Sequence, residues 1–264
     1  MKLISRLDNG ENIKFSEKQE LSIFLAFLRT RVPQFEKVLI DIFNAHAKSL
    51  LKVATAIEER IDHLVKSSDI DLKDTDYKDF MEHTQSDDFR VVPNNQFIVA
   101  HMFKMARDIA TYLFQMDWFI LHTTGDQLIV TTDVPFIVLA PKYLKPPYPY
   151  GIGIIQKDAV KIIPLTKSSA LAMVNKGERL IHRDLNNEQV TELNEIMALS
   201  SERLLIGSSE ELMTSVINSA SLLELDPSEY VSTNHFGDSI KGFITATSLN
   251  VDTFNSSFLE DLID

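Results

Sequence analysis

The sequence contains no cysteine, which excludes disulfides, thiolate zinc sites and cysteine nucleophiles together. Glycine is scarce, at eight in 264 residues, and Gly151-x-Gly153 lacks the further glycine and helix of a dinucleotide-binding turn. A phosphate-cradling glycine loop, a His-x-x-x-His metal pair, a Gly-x-Ser-x-Gly elbow and internal repeats are also missing. No apolar run approaches the roughly 18 to 20 residues needed to cross a bilayer, because Asp117 interrupts the best stretch; no membrane association is expected. The first residues carry Asp8 and Glu11 where a signal peptide places its apolar segment, so the expected localisation is cytoplasmic.

Basic residues are nearly absent from the last quarter. Residues 201–264 hold Arg203 and Lys241 against eleven acidic side chains, and most of the net charge of −12 arises there. Such a field repels phosphate backbones, so nucleic-acid binding through this region is not expected, and the partner is left open between another protein and a second copy. What is present is an ordinary globular composition: 44% hydrophobic and 24% charged residues exclude collagen-like, low-complexity and globally disordered classes.

Ser16-x-x-Gln19 has capping-box spacing and predicts a helix through Leu28, after which Pro33 either kinks the pattern or restarts it. From Gln34 to about Lys66, apolar residues recur on one face of a long helix. Residues 67–95 crowd acidic side chains with few aliphatic ones and read as an exposed acidic loop or insertion. Asp69-Ile-Asp71 and Asp74-Thr-Asp76 lack the glycine and the bidentate glutamate of a calcium loop, so no metal site is expected. A helix capped by Asn94 or Asn95 follows over about 96–116, apolar except for a stripe of His101, Lys104, Asp108, Thr111 and Gln115. It is expected to be the most buried helix, with Phe103→Ala costing about 3 to 5 kcal/mol.

From Trp118 the pattern changes to short β-branched and aromatic runs, 118–123, 127–131 and 136–140, with Gly125-Asp126 at the position of a hairpin turn. The proline- and tyrosine-rich segment 143–153 reads as a surface loop. Strands at 160–163 and 170–174, a helix at 188–201, a strand at 203–207 and a helix opened by Ser208-x-x-Glu211 complete the pattern.

Three blocks carry a resemblance. Leu28-Arg29-Thr30, then Met116-Asp117-Trp118 with Val130-Thr131-Thr132-Asp133-Val134-Pro135, and finally Ile163-Pro164-Leu165-Thr166 are similar to blocks of a family catalogued only as a domain of unknown function. That family occurs in bacteria, archaea and viruses and is recognised by an N-terminal His-Tyr-x-Pro motif. The motif is missing from Met1 to Phe15, and Asn234-His235-Phe236 echoes it only faintly. The resemblance covers about residues 16 to 215 and supplies positions without a mechanism.

Thr132 and Asp133 close an apolar run, with Pro135 holding Val134 extended, which suits a general base or magnesium ligand and equally an Asx turn. Arg29 has the planar fork to hold Asp133 or an anionic substrate, so Asp133, Arg29 and Thr132 are the candidate catalytic residues and are expected to converge. The cofactor is left open. The expected architecture is a single α+β domain over residues 1–222, with helices packed on one face of a small, mostly antiparallel sheet, and an acidic C-terminal segment over 223–264. Two functions fit it: a hydrolase or nuclease-like toxin or defence enzyme using Asp133 and Arg29, and a non-catalytic protein-interaction module that has lost the histidine motif.

Overall fold

The computed structural model describes residues 2–56, 79, 82–86, 88–139, 153–175, 177–201, 203–222 and 262. Residues 143–152 of the expected loop, the acidic C-terminal segment up to Asp261 and most of the acidic stretch after residue 66 lie outside them; within that stretch, residues 82–85 are helical. The chain divides into two compact units, one of Met1–Phe35 with Met102–Asp264, the other Glu36–His101.

The first unit is α+β. Its main sheet has the order β3-β4-β5-β1-β6, from β1 (Asp117–Thr123), β3 (Ile137–Leu139), β4 (Val160–Pro164), β5 (Ser169–Val174) and β6 (Leu180–Leu185). Every pairing is antiparallel except β1 with β6, which is parallel. A second ladder pairs β2 (Thr131–Thr132) with β7 (Leu205–Ile206). Successive side chains of a strand point to opposite faces, so β1 contributes Phe119 and Leu121 to one core, and Trp118 and Ile120 to the other. The first core is closed by Val190, Leu193, Ile196 and Met197 of α5 (Asn187–Leu199) and Val216 of α6 (Glu210–Leu222). The second is closed by Leu7 of α1 (Lys2–Asp8), Leu21 and Leu25 of α2 (Phe15–Thr30), and Ile109 and Leu113 of α4 (Asn95–Phe114). Helices therefore cover both faces of the sheet rather than one, which explains why β1 and β5 are apolar without alternation.

One strand expectation is corrected, and one strand had no counterpart among the expectations. Gly125-Asp126 is not a hairpin turn, because both edges of β1 are already taken by β5 and β6. The chain instead runs past α5, where a Cβ on residue 125 would meet the end of the Asn187 side chain, which would have to turn aside. Strand β6 was hidden by its charges, Arg183 and Asp184, which belong to an edge strand.

Helix ends follow backbone satisfaction. Helix α2 starts at Phe15, one residue before the expected cap, with the Glu17 carboxylate accepting the Lys14 N–H at 2.7 Å. Asn94 caps α4 through the Phe97 N–H at 2.7 Å, Asn186 caps α5 through the Gln189 N–H at 2.9 Å, and Ser209, not Ser208, caps α6.

Helix α4 is not the uniformly buried helix its composition predicts. Ile98, Ala106, Ile109, Ala110 and Leu113 are buried, whereas Phe97, Val99, Phe103 and Tyr112 are exposed, Phe103 by 58%. A helix with apolar residues on most of its circumference gives little phase information, so the choice of buried face falls to tertiary packing. Phe103→Ala is accordingly expected to cost about 1 kcal/mol or less in equilibrium unfolding, through its edge-on contact with Phe27; a loss above about 3 kcal/mol, the range of buried aromatic truncations, would contradict this placement.

Within the second unit, α3 (Pro33–Thr55) contributes Asp41, which accepts from Arg90 at 2.9 Å, and Asn44, which accepts the Val91 N–H at 2.8 Å. Phe43, Phe97 and His101 form one aromatic cluster of edge-on and tilted rings, which gives His101 a packing role.

Candidate functional site

The polar residues of the first unit gather where β1 ends. His122 is paired in register with Ser169 of β5, and Ile120 with His182 of β6, so His122, His182 and Ser169 share one face of the sheet. His122 Nε2 and His182 Nδ1 are 2.8 Å apart with the rings nearly parallel, so one donates and the other accepts. On the same face, Asp8 at the end of α1 accepts from Thr166 Oγ1 at 2.8 Å and Ser168 Oγ at 3.0 Å. Thr166 in turn accepts the Ser168 and Ser169 N–H groups, which shapes the tight β4–β5 turn.

Electrostatics separate these groups. Burial pushes the Asp8 carboxyl up, but the hydroxyls of Ser169, Thr166 and Ser168 and the nearby His122 charge outweigh it and hold Asp8 below the usual carboxylate range. Burial, reinforced by the His122 charge, pushes His182 down against a smaller opposing influence from the Glu11 main chain. Its Nε2 is buried without hydrogen-bonding geometry to any partner. A histidine whose folded pKa is lowered takes up its proton more readily in the unfolded chain. Stability is therefore expected to be complete above the ordinary histidine range and to fall as pH drops through it, and His182→Asn should flatten that slope in urea melts between about pH 7 and pH 5. An unchanged slope in the variant would remove His182 as its source.

A cavity of about 390 Å³ adjoins this network. Thr131 of β2 lines one side, Pro164, Leu165 and Thr166 another, and Ile206, Gly207 and Ser208 a third. Two of the three family-like blocks thus meet at one pocket, and Thr166 belongs both to its wall and to the Asp8 network.

Of the residues singled out from sequence, Thr132 and Asp133 follow directly on Thr131 of this pocket's wall. Thr132 is buried and its Oγ1 accepts the Val134 N–H at 3.0 Å. Asp133 Oδ2 accepts the Arg203 N–H at 2.9 Å, and the Asp133 N–H donates to Leu204 O, which extends the β2–β7 ladder. The Arg29 guanidinium is buried over the rings of Phe35 and Phe136, and desolvation pushes it down to about 10. Thr132 and Asp133 are thus brought together at one turn, and Arg29 packs on Phe136, three residues further along the chain. Lys18 and Lys161 are also buried on this side of the sheet, but each turns its ammonium to main-chain carbonyls: Met116 and Glu178 for Lys18, Gln156 and Ala159 for Lys161. Among the described residues, no group of three or more His, Asp or Glu side chains is placed to hold a metal ion.

Sequence reasoning passed over Asp8, His122 and His182. The one available signal was the polar pair His182 and Asp184 alternating with Ile181 and Leu185, which marks a strand with one polar face. The pairing of His122 with His182, sixty residues apart, left no local trace.

A family model described as a protein of unknown function (DUF4238) matches residues 1–211. No curated protein and no solved structure matches the chain.

Proposed function

Because the chain belongs to this family of proteins of unknown function, DUF4238, whose description supplies no chemistry, we propose its reaction class from geometry: a hydrolase whose acid–base groups are His122 and His182. The observation that carries this reading is their 2.8 Å contact beside Asp8, on the face of the sheet where β1 and β6 both end. Histidine transfers protons near neutral pH, and two rings joined by one hydrogen bond relay a proton between a reacting atom and a second acceptor. Asp133, Thr132 and Arg29 are positioning residues in this reading: they hold the β2–β7 ladder and the Phe136 segment, and so the Thr131 wall of the pocket. A toxin or defence role would follow from the substrate, and is tested with it.

The experiment is a panel of chromogenic esters, phosphodiesters and glycosides, comparing the wild-type chain with the double variant His122→Gln/His182→Asn at equal helical content. Turnover by the wild type that the double variant lacks is the expected result. Equal rates for both would overturn the assignment. A second reading, the non-catalytic interaction module, is favoured by the exposed apolar side chains Phe15, Ile23, Phe24, Phe27 and Phe103 on α2 and α4; it predicts no turnover by either protein.

A further inference from the structure

Helices α2 and α4 leave a groove between them that the proposed reaction does not use. Phe15 packs edge-on against Phe114 with centroids 4.6 Å apart, and Phe27 against Phe103 at 5.4 Å. These contacts show that the two helices run antiparallel and that an aromatic pair stands at each end of the seam. The residues from Phe15 to Phe27, at about 1.5 Å each, set its length near 18 Å. The cavity within it measures about 460 Å³. Its floor is formed by Ala106 and Ala110, one turn apart and both buried, while Ile23, Phe27 and Phe114 form the walls.

Charge singles out the occupant. In a chain of net charge −12, this groove is lined, among the described residues, by no carboxylate and by one cation, Arg107. The Arg107 guanidinium is exposed and, among the described residues, has neither an ion pair nor a hydrogen bond, whereas its main-chain carbonyl accepts from Thr111. An apolar trough with one unpaired guanidinium at its edge suits a ligand with a single alkyl chain and an anionic head. The cavity lies within the size range of small-molecule clefts.

We propose that the groove between α2 and α4 binds a free fatty carboxylate, its chain lying over Ala106 and Ala110 between the aromatic pairs and its head on Arg107. The site is independent of the His122–His182 reading and stands whether or not the chain is a catalyst.

The test is calorimetric titration of the full chain with laurate below its micellar concentration, with dodecyltrimethylammonium as a probe of the same tail and opposite head. Saturable binding of one laurate per chain is expected, and the cationic probe should bind about tenfold more weakly or worse. Arg107→Gln should weaken laurate by about tenfold or more through loss of the charged contact. Thr111→Trp, which places bulk at an exposed lining position, should abolish it while circular dichroism stays unchanged. Absence of saturable laurate binding, equal affinity for the two heads, or indifference to both substitutions would overturn the proposal.

Discussion

Trp118→Ala is expected to lower stability by about 3 to 5 kcal/mol, the largest loss of any single core truncation in the first unit. Trp118 is fully buried on the central strand β1, facing the core closed by α1, α2 and α4. Its indole Nε1 donates to Leu113 O at 2.8 Å, so the same side chain fills the core and satisfies a carbonyl at the open end of α4. The Lys18 ammonium lies 5.2 Å from the ring centroid, adding a cation–π contact in a place of low water access. Alanine would leave a cavity, a Leu113 carbonyl that keeps only the longer bond from the Met116 N–H, and a buried ammonium with Phe114 as its remaining aromatic face. Near the melting point each kcal/mol corresponds to about 2 to 4 °C for a chain of this size, so a drop of about 6 to 20 °C should appear in calorimetry. A loss below about 1 kcal/mol would place Trp118 outside the core.

The second large effect concerns chemistry. His182→Asn is expected to reduce turnover by about 10²- to 10⁴-fold, the range for removing a positioned general acid or base. Asparagine keeps a polar group of similar reach but does not titrate. Fold and activity should therefore part company: the folded fraction should remain close to that of the wild type at pH 8, where neither form carries an additional charge, while the rate falls. Asp133→Asn should show the opposite pattern. Its carboxylate accepts a main-chain N–H from Arg203, so losing the charge weakens the β2–β7 ladder and the pocket wall, raising KM and lowering stability together with a smaller change in kcat.

How much of this was readable in advance follows from the range of the interactions concerned. The cap at Asn94 and the spans of α4 and α5 rest on neighbours a few residues away, and sequence periodicity registers them. The β4–β5 pair around Pro164-Leu165-Thr166 was legible for the same reason. The false hairpin at Gly125-Asp126 shows the limit: the local turn chemistry was suitable, but β1 had already found its partners fifty to sixty residues onward. The exposure of Phe103 was illegible because an almost wholly apolar helix has no unique inner face. The site is an extreme case, since Asp8, His122, Thr166 and His182 come from α1, two strands and a turn, and only the sheet register brings them together. Thr132 and Asp133 were singled out for chemistry, yet the Thr132 hydroxyl bonds the Val134 N–H as turns do, and the Asp133 carboxylate accepts from Arg203, seventy residues away.

The most direct measurement is the pH dependence of kcat/KM for a turned-over chromogenic substrate, in the wild type and in His182→Asn. Burial keeps His182 neutral to lower pH than an exposed histidine, so the wild-type rate should hold through the ordinary histidine range near pH 6.5 and fall on an acid limb below it. The variant should lose most of the rate and that limb together. A limb that persists unchanged in His182→Asn would mean that another group carries the proton, and would contradict the assignment of the site.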